Sequence, residues 1–275
     1  MSDIRRVGVV GLGRMGLPIA THLVGAGFEV YGYDPDPPRA EALGAAGGML
    51  GESARAVATR AQAVVMMVAD DAQVETATLG SDGVLAGLPE GGVILIASTV
   101  KPATCRKVRD AAAPRGVGVL DAPVALGQRA AEEGRLTVYV GGDRALFERC
   151  LPVFRAYGRE VVHIDDEVGA GQVAKLANNL VLWASVVAVH EALAMAERLG
   201  VSPGRLRHAL VHGSADGYAL RELHLINLTW PHKDIEQAIQ VAADTGTPLP
   251  LAAHVRSLIG TLTKDELRRL CREGY

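Results

Sequence analysis

The ten residues Val7-Gly8-Val9-Val10-Gly11-Leu12-Gly13-Arg14-Met15-Gly16 constrain this chain more than any other stretch: a short apolar strand runs straight into three glycines at GxGxxG spacing. Each glycine answers a separate demand. Gly11 allows a tight strand-to-helix turn, Gly13 lets backbone approach a pyrophosphate, and Gly16 lets the helix pack against the strand. The free N–H groups at the start of such a helix attract anions. Three glycines alone are a weak signal, but their context agrees. An apolar helical pattern follows (Leu17, Ile19, Ala20, Leu23, Val24), then Gly27, then a second strand, Phe28–Tyr33, ending in Asp34. An acid roughly 20 residues beyond the glycines is placed to accept hydrogen bonds from ribose hydroxyls. The expected cofactor contacts are therefore Gly11, Leu12, Gly13, Arg14, Met15, Gly16 and Asp34.

With 275 residues, 49% of them hydrophobic, the chain can bury a full core in one large domain or two modest ones. A net charge of -3 and a pI near 6.2 give no electrostatic footprint for nucleic acid or a membrane surface, so small soluble ligands are the expected partners. Cys105, Cys150 and Cys271 are far apart and form no CxxC pair. They read as reduced thiols of a cytoplasmic protein, neither a disulfide framework nor a metal site. The opening Met1-Ser2-Asp3-Ile4-Arg5-Arg6 leads directly into the first strand and leaves no room for a cleavable signal segment. The most hydrophobic run, Leu180–Val189, is shorter than the roughly 20 apolar residues of a bilayer crossing and is expected as buried helix core.

Further strands are predicted at Ala63–Val68, Val93–Ala97, Gly118–Asp121, Leu136–Val140 and Glu160–Ile164, separated by helical or glycine-marked segments. Such alternation implies a doubly wound, mostly parallel sheet of Rossmann type with helices on both faces. Helices are expected from Pro102, after Ser98-Thr99, and from Asp143, after Gly141-Gly142. From Gly169 to Leu199 the pattern becomes one long helix, about twice the average length, and strand signals largely stop. The domain boundary is therefore set just before it: 1–167 as the dinucleotide-binding domain and 168–275 as an all-helical substrate and dimerisation domain.

Within the long helix, Lys175 and Asn179 stand four residues apart on one face. A lysine on a buried face costs free energy unless paired or neutral, and desolvation lowers a lysine pKa toward the range useful for proton transfer. That makes Lys175 a candidate general acid or base. A lysine snorkelling to solvent, with Asn179 bonding a neighbouring loop, fits the spacing equally well.

Four blocks in order, Gly11-Leu12-Gly13-Arg14-Met15-Gly16, Asp121-Ala122-Pro123-Val124, Gly169 to Asn179 and Lys233-Asp234, resemble the β-hydroxyacid dehydrogenase family over nearly the whole length. This is the group around 3-hydroxyisobutyrate dehydrogenase and tartronate semialdehyde reductase, with a nucleotide-binding domain related to that of 6-phosphogluconate dehydrogenase. The resemblance implies a nucleotide-binding domain and a helical domain joined by the long interdomain helix. It implies hydride transfer between a nicotinamide cofactor and a small β-hydroxy acid, with Lys175 exchanging the hydroxyl proton and Asn179 orienting the substrate. Val68, Ala69 and Thr99 match cofactor-contacting positions, and Lys233 matches a lysine that closes over the cofactor. An exposed pair at a helix start would explain Lys233-Asp234 equally simply. A homodimer or homotetramer follows from the likeness too.

One departure stands out. Family members usually carry Ser-Gly-Gly where this chain has Ala125-Leu126-Gly127, so a hydroxyl that holds the substrate carboxylate is lost and Leu126 adds bulk. Backbone N–H groups survive, and Gln128 and Arg129 follow as possible replacement donors. Ala125, Leu126, Gly127, Gln128 and Asn179 are therefore the expected substrate contacts, for a small anionic substrate. An imine or bulky-carbonyl reductase on the same scaffold is the alternative enzyme reading, although related imine reductases generally lack this lysine. A non-catalytic cofactor-binding scaffold is the third reading.

The cofactor is expected to be NAD: Asp34 would repel a 2′-phosphate, and Pro35-Asp36-Pro37-Pro38 postpones the first cation to Arg39, which disfavours NADP. No metal is expected. His208 and His212 have a ligand spacing without a third ligand, and His190-Glu191 lacks a second histidine. Asp70-Asp71 and Asp165-Asp166 read as helix caps or solvated loop carboxylates. Gly213–Tyr218, with Trp230 and His232, is the cluster most suited to shaping a substrate pocket, though a plain helix-helix loop explains it nearly as well. The charged stretch Leu262–Tyr275 looks shorter than the resemblance suggests.

Overall fold

The computed structural model describes residues 4–272. Met1–Asp3 and Glu273–Tyr275, at the ends of the terminal stretches named above, lie outside the described residues. The strands are β1 (Arg6–Val10), β2 (Glu29–Tyr33), β3 (Met49–Leu50), β4 (Ala63–Met66), β5 (Val93–Ile96), β6 (Gly118–Asp121), β7 (Val124–Ala125), β8 (Leu136–Gly141) and β9 (Gly158–Asp165). They form one sheet in the order β3-β2-β1-β4-β5-β6-β8-β7, with β9 pairing to β8. β1 through β6 pair in parallel and β8 runs antiparallel to both β6 and β7. The expected mostly parallel, doubly wound sheet is present. β3 and β7 went unpredicted because two residues carry no periodicity to read.

β4 shows why these strands read as continuous apolar runs. Ala63 and Val65 pack into one core with Ile19, Leu23, Phe147 and Phe154, while Val64 and Met66 pack into another with Val57, Val74 and Val108. A parallel strand covered by helices on both faces has no solvent side to keep polar. Because β1 is flanked by β2 and β4, the connections leave it in opposite directions, and a crevice opens at the carboxyl ends of β1 and β4.

The chain divides into two compact units, Met1–Lys175 and Leu176–Tyr275. The second is helical. Its helices Pro203–Leu210, Pro231–Asp244 and Pro250–Ile259 each begin on a proline, whose missing N–H is no loss at the first position. Trp183, Val186, Leu193, Leu223, Ile235, Val255, Ile259 and Leu267 form its core.

The long helix spans Ala170–Arg198, 29 residues. By length and composition it could cross a membrane, a possibility the shorter run Leu180–Val189 did not raise. That run is only partly buried: Trp183, Val186 and Val187 are in the core, whereas Val181 is 65% exposed. The helix shows one face to its core and a second apolar face outward.

Candidate active site

The glycine turn is tight because nothing but glycine fits. Gly11 has φ +92, and a Cβ there would come within 2.3 Å of the Met67 carbonyl oxygen; one on Gly16 would meet the Gly11 carbonyl oxygen at 1.8 Å. Gly13 differs. A Cβ on it would find only the Arg39 guanidinium within 4 Å, so the backbone there borders open space, as the approach of a pyrophosphate requires. No side chain caps helix Gly16–Gly25; the Leu17 N–H already donates to the Gly13 carbonyl at 3.0 Å and Pro18 carries no N–H, so an anion would meet the backbone of the glycine turn ahead of them. Arg14 is exposed and Met15 half-buried beside them. These residues fit a dinucleotide.

Asp34 follows β2 directly and is buried. Its Oδ2 accepts from the Leu12 N–H at 2.8 Å and its Oδ1 from the Asp36 N–H at 3.0 Å. The carboxylate therefore ties the end of β2 to the glycine turn. Arg39, remote by sequence count, is brought back by the first turn of helix Pro37–Ala45 to 3.7 Å from Asp34, and it also pairs with Asp36 at 3.0 Å.

From the turn a chain of contacts runs along the sheet edge. The Ser98 hydroxyl accepts from the Val68 N–H at 2.8 Å and donates to the Val68 carbonyl at 2.9 Å; the Ala69 N–H donates to Gln73 at 3.1 Å. Thr99 is half-buried next to Ser98. The buried Gln172, in the first turn of the long helix, then reaches across: its Nε2 donates to the Ser98 carbonyl at 2.9 Å, and its Oε1 accepts from the Val100 N–H at 3.1 Å. Lys175, half-buried, lies one turn further along.

The start of that helix is held by Asp121, the last residue of β6 and fully buried. Its two oxygens accept from the Gly169 N–H at 2.6 Å and the Gln172 N–H at 2.7 Å. Burial pushes its carboxyl up to about 6, against the opposing pull of those N–H donors. Burial likewise raises the Cys105 thiol well above its ordinary value, with the Asp121 and Asp71 charges adding to the effect. Gln172 and Asp121 both sat inside quoted motifs, but sequence reasoning gave neither a role.

Ala125 is buried in β7, and Leu126 follows at φ +80, a left-handed backbone that side chains rarely adopt; Gly127 has φ +73. Leu126 packs half-buried against the core. The two replacement donors are exposed and already engaged: Gln128 with Glu132 and Arg129 with Glu133, each at 2.8 Å.

In the second unit Asn179 is buried, its Oδ1 accepting from Asn178 at 3.1 Å. Lys233 is half-buried with its Nζ 5.7 Å from the centre of the Trp230 ring, and Asp234 accepts from the Trp183 indole N–H at 3.1 Å. Gly213–Tyr218 is an exposed loop in which Asp216 pairs with Arg221. Among the described residues no group of three or more His, Cys, Asp or Glu side chains is placed to hold a metal. Asp70 caps helix Asp71–Leu79, and Asp71 accepts from Lys101 N–H and the Thr104 hydroxyl.

Comparison with known proteins covers both units. The family model for the NAD binding domain of 6-phosphogluconate dehydrogenase matches residues 6–165, and that for the NAD-binding domain of NADP-dependent 3-hydroxyisobutyrate dehydrogenase matches 169–270. The chain is 37% identical over 231 residues to 3-hydroxyisobutyrate dehydrogenase of Pseudomonas aeruginosa, covering 84% of this chain and 75% of that one. It is 31% identical over 259 residues to 2-(hydroxymethyl)glutarate dehydrogenase of Eubacterium barkeri, covering 90% and 86%. Among solved structures, 3-hydroxyisobutyrate dehydrogenase of Mycobacterium tuberculosis with L-serine superposes at a TM-score of 0.87 with 27% identity, over 99% of this chain and 100% of that one.

Proposed function

The chain belongs to the β-hydroxyacid dehydrogenase family, and from that premise we propose that Lys175 is the general acid and base of an NAD-dependent oxidation of a small β-hydroxy acid to its aldehyde or ketone. NAD, when bound, takes the hydride from the carbinol carbon. The Lys175 amine takes the hydroxyl proton in oxidation and returns it in reduction. Asn179 orients the substrate, Thr99, Val68 and Ala69 line the cofactor, and Lys233 meets it from the helical domain. The observation that carries the reading is the bridge from Gln172 to Ser98 and Val100, which ties the lysine-bearing turn to the loop that holds Thr99.

The domain assignment, 1–167 for the cofactor and 168–275 for substrate and dimerisation, draws support from the two family matches, which end at 165 and resume at 169. Along the long helix Val173, Val181 and Met195 are 54%, 65% and 60% exposed, and Leu199, just past its end, is 72% exposed. A cytoplasmic homodimer or homotetramer that covers this stripe is the reading we adopt, and light scattering of the purified protein tests it.

The functional test is NADH formation across β-hydroxy acids with carboxylate, sulfonate or phosphate groups, repeated with NADP and with cyclic imines in the reductive direction. Turnover of a β-hydroxy acid is expected, and turnover of imines alone would overturn the assignment. Lys175→Ala should lower kcat by about three orders of magnitude with cofactor affinity kept, as expected when a proton-transfer group is lost. Unchanged turnover removes Lys175 from the mechanism.

A further inference from the structure

Gln172 is bonded through both the nitrogen and the oxygen of its carboxamide to the segment that follows β5. Its side chain, fully buried, donates to the Ser98 carbonyl and accepts from the Val100 N–H, spanning Thr99, while its own N–H is held by Asp121. Ser98 in turn is locked to both backbone groups of Val68. The segment after β5 is therefore joined directly to the Gln172 carboxamide, the end of β4 reaches it only through the Ser98 hydroxyl, and the end of β6 holds the Gln172 main-chain N–H, all in the helix turn that precedes Lys175. Packing around it leaves no slack: a Cβ on Gly171 would come within 2.5 Å of the Tyr139 carbonyl oxygen, and one on Gly141 within 2.6 Å of Asp121. A carboxamide engaged at both its nitrogen and its oxygen cannot shift along the helix without breaking its bonds to a buried N–H and a buried carbonyl.

We propose that Gln172, backed by Asp121, is a positioning residue that sets the reach of Lys175 relative to the cofactor-lining loop at Thr99. The inference rests on the proposed role of Lys175. It touches neither substrate nor cofactor in this reading and acts only through where it places the amine, so its loss appears in turnover. A displacement of the reacting group by about 1 Å is enough to cost about a hundredfold in rate.

The test compares Gln172→Met and Gln172→Glu with Lys175→Ala, each measured for kcat, for NADH dissociation constant and for folded fraction at the assay temperature. Met keeps the length and removes both bonds. Folded Gln172→Met is expected to lose about tenfold to a hundredfold in kcat while binding NADH within about threefold of wild type. Glu keeps the acceptor for Val100 but gains a donor for Ser98 only when protonated. Its kcat relative to wild type should therefore rise as pH falls. Next to that position stand the Asp121 carboxylate, which accepts from the Gln172 N–H, and the Cys105 thiol, which bonds the Gln172 side chain and is itself acted on by the Asp71 and Arg106 charges; all are shared with wild type.

If Lys175→Ala loses turnover but folded Gln172→Met keeps kcat within about twofold, the inference falls and the proposed function stands. If cofactor binding falls in proportion to kcat, the bridge serves the loop instead of the lysine, and the inference falls too. Full turnover in Lys175→Ala removes both. Should Gln172→Met not fold, Gln172→Glu decides alone, and a ratio to wild type that is flat with pH overturns the proposal.

Discussion

Two turns leave strands of the same sheet through a left-handed residue, and they meet that demand in opposite ways. After β1 it falls on Gly11 at φ +92; after β7 it falls on Leu126 at φ +80. Leucine there costs roughly 1–2 kcal/mol that glycine would not. The glycine turn is closed by backbone at Gly11 and Gly16, with Met67 and Gly11 carbonyls where side chains would stand, and is open only at Gly13, whereas a Cβ on Gly127 would meet nothing within 4 Å. The first turn is thus a backbone fitting that admits no side chain at Gly11 or Gly16, which suits the close approach of a cofactor. The second has room to accept a side chain, at the cost of strain.

Gly11→Ala should break this contrast with the largest effect. A methyl group there meets both an adverse φ and a carbonyl at 2.3 Å, so stability is expected to fall by about 3 kcal/mol or more, with NADH binding lost. Urea unfolding and fluorescence titration check it. A variant within about 1 kcal/mol of wild type would mean that the turn can relax.

Asp121, at the foot of the second turn, should make stability depend on pH. Its carboxyl holds a proton more tightly when folded, at about 6, than at its ordinary 3.8. Its contribution to stability is therefore complete below pH 4 and is lost as pH rises through 6, a change of about 3 kcal/mol. Urea midpoints of wild type and Asp121→Asn between pH 4 and 7 measure it: wild type should gain on the variant as the solution is acidified. A difference constant with pH would show a carboxyl of ordinary acidity.

The smallest effect sharpens the comparison most. At an ordinary site alanine is the more stable replacement, but at Leu126 glycine should be better than alanine by about 1 kcal/mol. Both variants lose the same half-buried side chain, and only glycine relieves the backbone. Thermal unfolding of Leu126→Gly beside Leu126→Ala decides it, and the usual order would show that Leu126 is unstrained.

What could be read from the sequence was what is local. The glycine turn, Asp34, the long helix and the spacing of Lys175 and Asn179 all lie within a few turns of chain, where helical and strand periods apply. The bonds from Gln172 to Ser98 and Val100, and from Asp121 to Gly169, join residues about fifty to seventy positions apart. No period encodes them; only the strand order does. Arg39 is an intermediate case, distant along an extended chain but returned to Asp34 by one helical turn. Gln128 and Arg129 were legible in principle, because Glu132 and Glu133 stand four residues on, where helix neighbours pair.

The uninterrupted helix from Ala170 to Arg198 also limits how such a protein can diverge. Each residue inserted between Lys175 and Asn179 would rotate everything downstream by about 100°, so this segment can change by substitution but not by insertion or deletion. Changes of length are thereby confined to the irregular connections, among them the turn that carries Leu126.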